Sequence, residues 1–229
     1  MCPTSRWFRL AQARRLCSRH SDGALCIQKR MKNNIAEYLK SGVEQFPDSA
    51  YGPGYRCSAY LTDGTLIPCV MLRSSAATVQ LALRRFEEEK KGLGVFRRKG
   101  AYEEIVKTFV AAGNRVNSYD IARVEPSPHA MPLALLRQIH GETTMAWTGF
   151  AFEMKDGRCF AYGTTFLMEF FNLPEGYSFI DVRKVHNHSY VSAAGEVRSL
   201  REGMAAQPSD YDPTSVFREK PYFVCYYDA

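Results

Sequence analysis

No run in this chain approaches the ~20 consecutive apolar residues that a membrane-crossing helix needs, although 45% of its 229 residues are hydrophobic. The sequence therefore offers no spanning helix. The phosphate-cradling signatures are missing too: neither a GxxxxGKS/T loop nor a GxGxxG turn occurs. Cysteine is sparse, with seven residues and no CxxC pair, which removes the commonest zinc and dithiol patterns. Cys57, Cys69, Cys159 and Cys225 all lie in strand-like sequence and none opens a helix. A Cys–His nucleophile, which draws its reactivity from such a setting, is not indicated. The four read as reduced, buried thiols, and the chain as a soluble cytoplasmic protein. No motif calls for a cofactor.

Acid is nearly absent from residues 1–30, where Asp22 stands alone against Arg6, Arg9, Arg14, Arg15, Arg19, Lys29 and Arg30. That imbalance equals the whole formal excess of +6. Residues 31–229 are thus neutral in net charge and lack the basic footprint of a nucleic-acid binder. Three of the seven cysteines also fall in this first stretch. We expect residues 1–30 to be a basic extension outside the core, from a misplaced start or a transit-like leader. Residues 31–229 are expected to form a single α+β domain.

What the sequence does have is aromatic strand material, densest from Trp147 to Phe171. Two alternating runs flank Asp156-Gly157, a turn signal of the two-residue type I′ kind. That register sets Lys155 against Arg158, Met154 against Cys159, Phe152 against Ala161 and Phe150 against Gly163. On the other side, Trp147 meets Phe166, Ala151 meets Tyr162 and Glu153 meets Phe160. Large side chains then lie opposite small ones. Both faces are mostly apolar, so this hairpin is expected to be central and covered on each side.

A second Asp-Gly pair, Asp63-Gly64, divides Tyr55–Leu72. Its two-residue turn gives an apolar face of Cys57, Ala59, Leu61, Leu66, Val70 and Leu72. The opposite face carries Arg56, Ser58, Tyr60, Thr62, Thr65 and Cys69, so this hairpin reads as half-buried. Pro68 places its strand at an edge or a bulge. Apolar spacing predicts helices over 33–46, 74–91 (Val79, Leu83 and Phe86 inward), 101–112, and beyond Pro132 with Leu135, Leu136 and Ile139. Further strands are expected at 116–124, 178–188 (Ile180 and Val182 on one face, Phe179 on the other) and 222–227. A short helix is expected over 195–206. The fold class is therefore α+β: a mainly antiparallel mixed sheet of two Asp-Gly hairpins plus single strands, covered by about four helices.

Candidate chemistry is thin. His186 and His188 alternate on a predicted strand, so both imidazoles could face one metal ion. A third ligand is needed, and Asp181 lies on the opposite face. The consecutive letters His-Asn-His cannot supply a ββα-metal nuclease, whose residues are spread over a hairpin and a helix. Arg183 and Tyr190 flank the two histidines and complete a candidate binding patch. Arg97, Arg98 and Lys99 form a basic loop able to meet an anion or an acidic partner. Tyr162, Phe166 and Phe160 read as core rather than as a stacking platform for bases. No paired catalytic carboxylates emerge. The reading that follows is a non-catalytic protein-binding or regulatory module whose partner is another protein. The rivals are a metal-dependent hydrolase or nuclease built on His186 and His188, and a small-ligand sensor with a pocket between sheet and helices.

Overall fold

The computed structural model describes residues 35–91, 114–144, 146–165, 168–200 and 207–227. In chain order the elements are α1 (35–42), β1 (Gln45–Phe46), β2 (Gly54–Leu61), β3 (Leu66–Ser74), α2 (Ala76–Lys91), β4 (Ile121–Pro126) and α3 (Leu133–Leu136). There follow β5 (Thr148–Met154), β6 (Cys159–Thr164), β7 (Val182–Asn187), β8 (Ser189–Val191), β9 (Val197–Ser199), β10 (Phe217–Arg218) and β11 (Phe223–Tyr227). This is a mixed α+β architecture in which strands dominate. Three sheets are present among the described residues rather than the one expected. The first runs β1-β2-β3-β11 with β4 also on β2, the second runs β10-β6-β5-β7, and β8-β9 form a ribbon. Most pairings are antiparallel, but β11 joins β3 and β10 joins β6 in parallel. No helix among the described residues is long and apolar enough to cross a membrane.

The two-residue type I′ turns are not formed. Gly64 and Gly157 have positive φ (89° and 87°), but the aspartates before them do not. Met154 N–H donates to the Arg158 carbonyl and Gly157 N–H to the Met154 carbonyl. The loop therefore has three residues, with glycine in the left-handed position of a bulge-closed turn. Leu61, Thr65 and Gly64 repeat the pattern in the first hairpin.

One residue of slip has a large consequence. Phe150 now pairs with Tyr162 and Phe152 with Phe160, while Gly149 pairs with Gly163 and Glu153 with Cys159. The bulky rings collect on one face of the β5–β6 pair and the small residues on the other. The ring face forms a core of Met131, Phe150, Phe152, Met154, Tyr162, Phe171 and Phe179. Its aromatics meet at centroid distances of 4.5–6.5 Å, the range in which tilted and edge-on pairs attract. Phe150, Ala151 and Phe152 are all completely buried, so β5 is covered on both sides.

In the first sheet, Pro68 sits at a bulge, where the β2–β3 register shifts between Cys57 and Ala59. The shift brings Ile67 to the core face and leaves Leu66 exposed. Cys57, Ala59, Val70, Leu72 and Cys225 pack there against Leu39, Ile121 and Val124. The reverse face is not solvated as expected. Cys69 and Met71 are buried against Phe170, with Phe46, Ala130 and Tyr222 around them.

Several predicted elements change. Gln45–Phe46 leave the first helix to become a strand. Val79 and Leu83 are 49% and 52% exposed, and Thr78 and Leu81 are buried instead; the Phe86 side chain lies outside the described residues. The strand expected at 116–124 begins only at Ile121, after a 3-10 turn. Phe179–Asp181 is a capped 3-10 turn, and it leaves Ile180 79% exposed. Leu133–Leu136 is a single helical turn. Val197–Ser199 is a strand rather than a helix. The helix expected over 101–112 lies outside the described residues.

Candidate functional site

Residues 168–173 run between the two large sheets. Successive side chains of an extended chain point opposite ways, so Phe170 enters the core behind β3 and Phe171 enters the aromatic core. Bridges from Ala130 to Phe170 and from Phe171 to Glu219 fix this stretch in place. His129 holds it twice: its carbonyl accepts from Phe171 N–H, and its ring nitrogen bonds the Phe171 carbonyl at 3.2 Å.

Beside this stretch lie two buried arginines: Arg56, which strand alternation assigned to a polar face, and Arg73. Arg56 is 2% exposed. Its guanidinium donates to the Met131 and Glu169 carbonyls, pairs with Glu44 at 3.1 Å, and stacks 4.8 Å from the Phe46 centroid. Burial pulls its pKa down to about 10, opposed by the charges of Glu44 and Glu169, so it remains a cation at neutral pH. Arg73 pairs with Asp48 at 2.8 Å. Glu169, itself buried, accepts from the Tyr222 hydroxyl at 3.0 Å. Burial and the Glu169 charge drive that phenol upward. These groups are locked to each other and serve to hold the two sheets together.

For Asp48, burial alone would raise the carboxyl pKa. The Tyr51 N–H, the Arg73 guanidinium and the Ala50 N–H outweigh it and hold the group below its usual value. A depressed folded-state pKa stabilises the fold above the unfolded value of ~3.9 and is lost as pH falls through the folded value. Asp48→Asn is therefore expected to cost about 1.5–3 kcal/mol at pH 7. The deficit relative to wild type should shrink as pH falls below the ordinary carboxylate range in urea melts run across pH. A deficit independent of pH would contradict the pairing.

The four candidate residues of the second half fall into separate contacts. Arg183 and His186 both hold Glu153, at 3.0 Å each. The His186 hydrogen bond outweighs desolvation, and the charges of Arg183 and Lys184 add to it, keeping Glu153 below its ordinary pKa. His188 sits at φ +47°, outside the strand alternation, and its Nδ1 lies 3.1 Å from Thr143 Oγ1. The buried Tyr190 hydroxyl donates to Asp210 at 2.6 Å. The two imidazoles thus serve different partners, and no set of three metal-capable side chains forms among the described residues. Arg97, Arg98 and Lys99 lie outside them. Cys159 faces Glu153, and burial followed by the charges of Glu153 and Asp156 raises its thiol pKa, the opposite of an activated nucleophile.

One open groove stands out at the β6 edge. It encloses about 750 Å³ between Phe160, Asn172, Leu173 and the chain from Thr214 to Arg218. Its apolar wall is Phe160, Leu173, Val216 and Phe217, with Phe160 and Phe217 edge to face at 5.9 Å. Asn172, Thr214 and Ser215 line the mouth. Arg218 is the one charged lining residue, and its guanidinium lies 4.3 Å from the Trp147 centroid. The groove escaped sequence reading because its walls come from three remote segments. The only local trace was Val216-Phe217 after the Pro213 turn. No family model, curated protein or solved structure matches the chain.

Proposed function

We propose that the protein is a non-catalytic binding module that docks another protein at the groove beside β6. The supporting observation is the groove itself: open, walled by aromatics, and flanked by a strand edge. An open groove beside a strand edge suits an extended macromolecular segment better than an enclosed metabolite. The buried free thiols Cys57, Cys69 and Cys225 support a reducing, cytoplasmic setting. The small-ligand reading draws on the same groove, whose volume lies within the ~300–1,000 Å³ of ligand pockets. The hydrolase reading has less behind it, because His186 and His188 are engaged by Glu153 and Thr143 respectively.

A photo-crosslinking side chain at Thr214, on the groove mouth, tests the proposal in the source cell. One defined protein should be captured there and not from the same group placed at Glu196 on the β8–β9 ribbon. Equal capture from both positions, or a tightly held small molecule seen by native mass spectrometry of the purified chain, would overturn it.

A further inference from the structure

We infer that the groove's occupant is an extended segment of the partner that adds to the free edge of β6 and carries a carboxylate for Arg218. This rests on the binding-module reading above and names its ligand class. The edge follows from the register. With Met154 N–H bonded to the Arg158 carbonyl, alternation turns the main chain of Phe160, Tyr162 and Thr164 toward β5. The main-chain groups of Cys159, Ala161 and Gly163 then face outward. β10 covers that side only opposite Tyr162 and Gly163. The chain before it leaves the sheet through a 3-10 turn at Pro213–Ser215, capped by Asp212. The Cys159 end of the edge thus keeps a main-chain donor and acceptor unmatched among the described residues, beside the apolar wall. Adding a strand to such an edge is a recurrent mode of peptide capture, with main-chain bonds giving affinity and side-chain pockets giving specificity.

The charge follows from Arg218. Its guanidinium lies over the Trp147 ring, and no carboxylate pairs with it among the described residues. A cation fixed in this way has lost little further freedom when an acid arrives. Pairing places Phe217 on the ring face with Tyr162 and Arg218 on the small-residue face with Gly163. β10 occupies the place beside Tyr162 and Gly163, so the added segment pairs at the Cys159 end and stops where β10 begins. The occupant should therefore carry a bulky apolar residue over Phe160 and, at its end nearest β10, an Asp or Glu on the opposite face.

Random twelve-residue peptides displayed on phage and selected on the full chain test this. Enriched sequences should combine β-branched or aromatic residues with Asp or Glu toward one end of the segment. Synthetic versions should slow exchange of the Cys159 and Ala161 amides. Arg218→Glu should weaken acidic peptides by at least about tenfold and select Lys or Arg instead. Arg218→Gln, a milder change, should lose the acid preference without reversing it. Enriched peptides with no acid preference, or unaffected amides at Cys159 and Ala161, would overturn the inference and leave the binding-module reading standing. No enrichment on a chain that is folded by circular dichroism would overturn both.

Discussion

Arg56→Ala is expected to cost about 3–5 kcal/mol, the penalty for breaking a buried, hydrogen-bonded charge from one side. Three losses combine. The Met131 and Glu169 carbonyls lose their donor in a site that water does not reach, at roughly 1–3 kcal/mol each before relaxation. The contact with the Phe46 ring disappears. Glu44 and buried Glu169 also lose a compensating charge. Equilibrium urea unfolding of purified protein gives the number. Arg56→Met keeps the stem's packing and removes the charge; it should recover part of the loss, since the carbonyls stay unmatched. A cost below about 1 kcal/mol for Arg56→Ala would show the site to be wet and the arginine replaceable.

Gly163→Ala should be nearly as damaging, though it adds a single methyl. A Cβ at Gly163 would lie 1.9 Å from the Trp147 ring. The indole cannot yield cheaply, because Gly149 lies against its Nε1 edge and Arg218 lies over its ring. Overpacking of this kind costs about 1–3 kcal/mol, and this contact belongs at the upper end. Displacing the indole should also shift its fluorescence to the red, read in a Trp7→Phe background because the chain has two tryptophans. Combining Gly163→Ala with Trp147→Leu should remove most of the penalty, a coupling that adjacent residues show and distant ones do not. If Gly163→Ala costs the same with and without the indole, the close approach is not what requires glycine there.

The strand pairs were legible because strand periodicity and Asp-Gly turns are local properties of the chain. The burial of β5 on both faces followed from its unbroken apolar run. The register was not legible, because Asp-Gly serves both a two-residue turn and a three-residue bulged one. The choice depends on the φ of Asp156 and on where the rings pack. Pairing large against small looked favourable locally. Gathering Phe150, Phe152, Phe160 and Tyr162 on one face is what the aromatic core uses instead. Arg56 was assigned to a polar face because alternation says nothing about a covering layer. That layer comes from Phe170 and Tyr222, more than a hundred residues downstream. The helix expected from the spacing of Val197 and Leu200 gave way to the β8–β9 ribbon, where Tyr190 pairs with Arg198. The candidate histidines were correctly placed near one another in sequence. Their partners Glu153 and Thr143 are tertiary and left no mark in it.

Phe170 and Phe171 act as neighbouring pegs driven into opposite walls. Only parity decides which wall each peg enters, so the count of residues within 168–173 is as fixed as the residues themselves. Hairpin tips can absorb an extra residue in solvent. Here an extra residue would present Glu169 to one interior and send Phe170 into the space shaped for its neighbour.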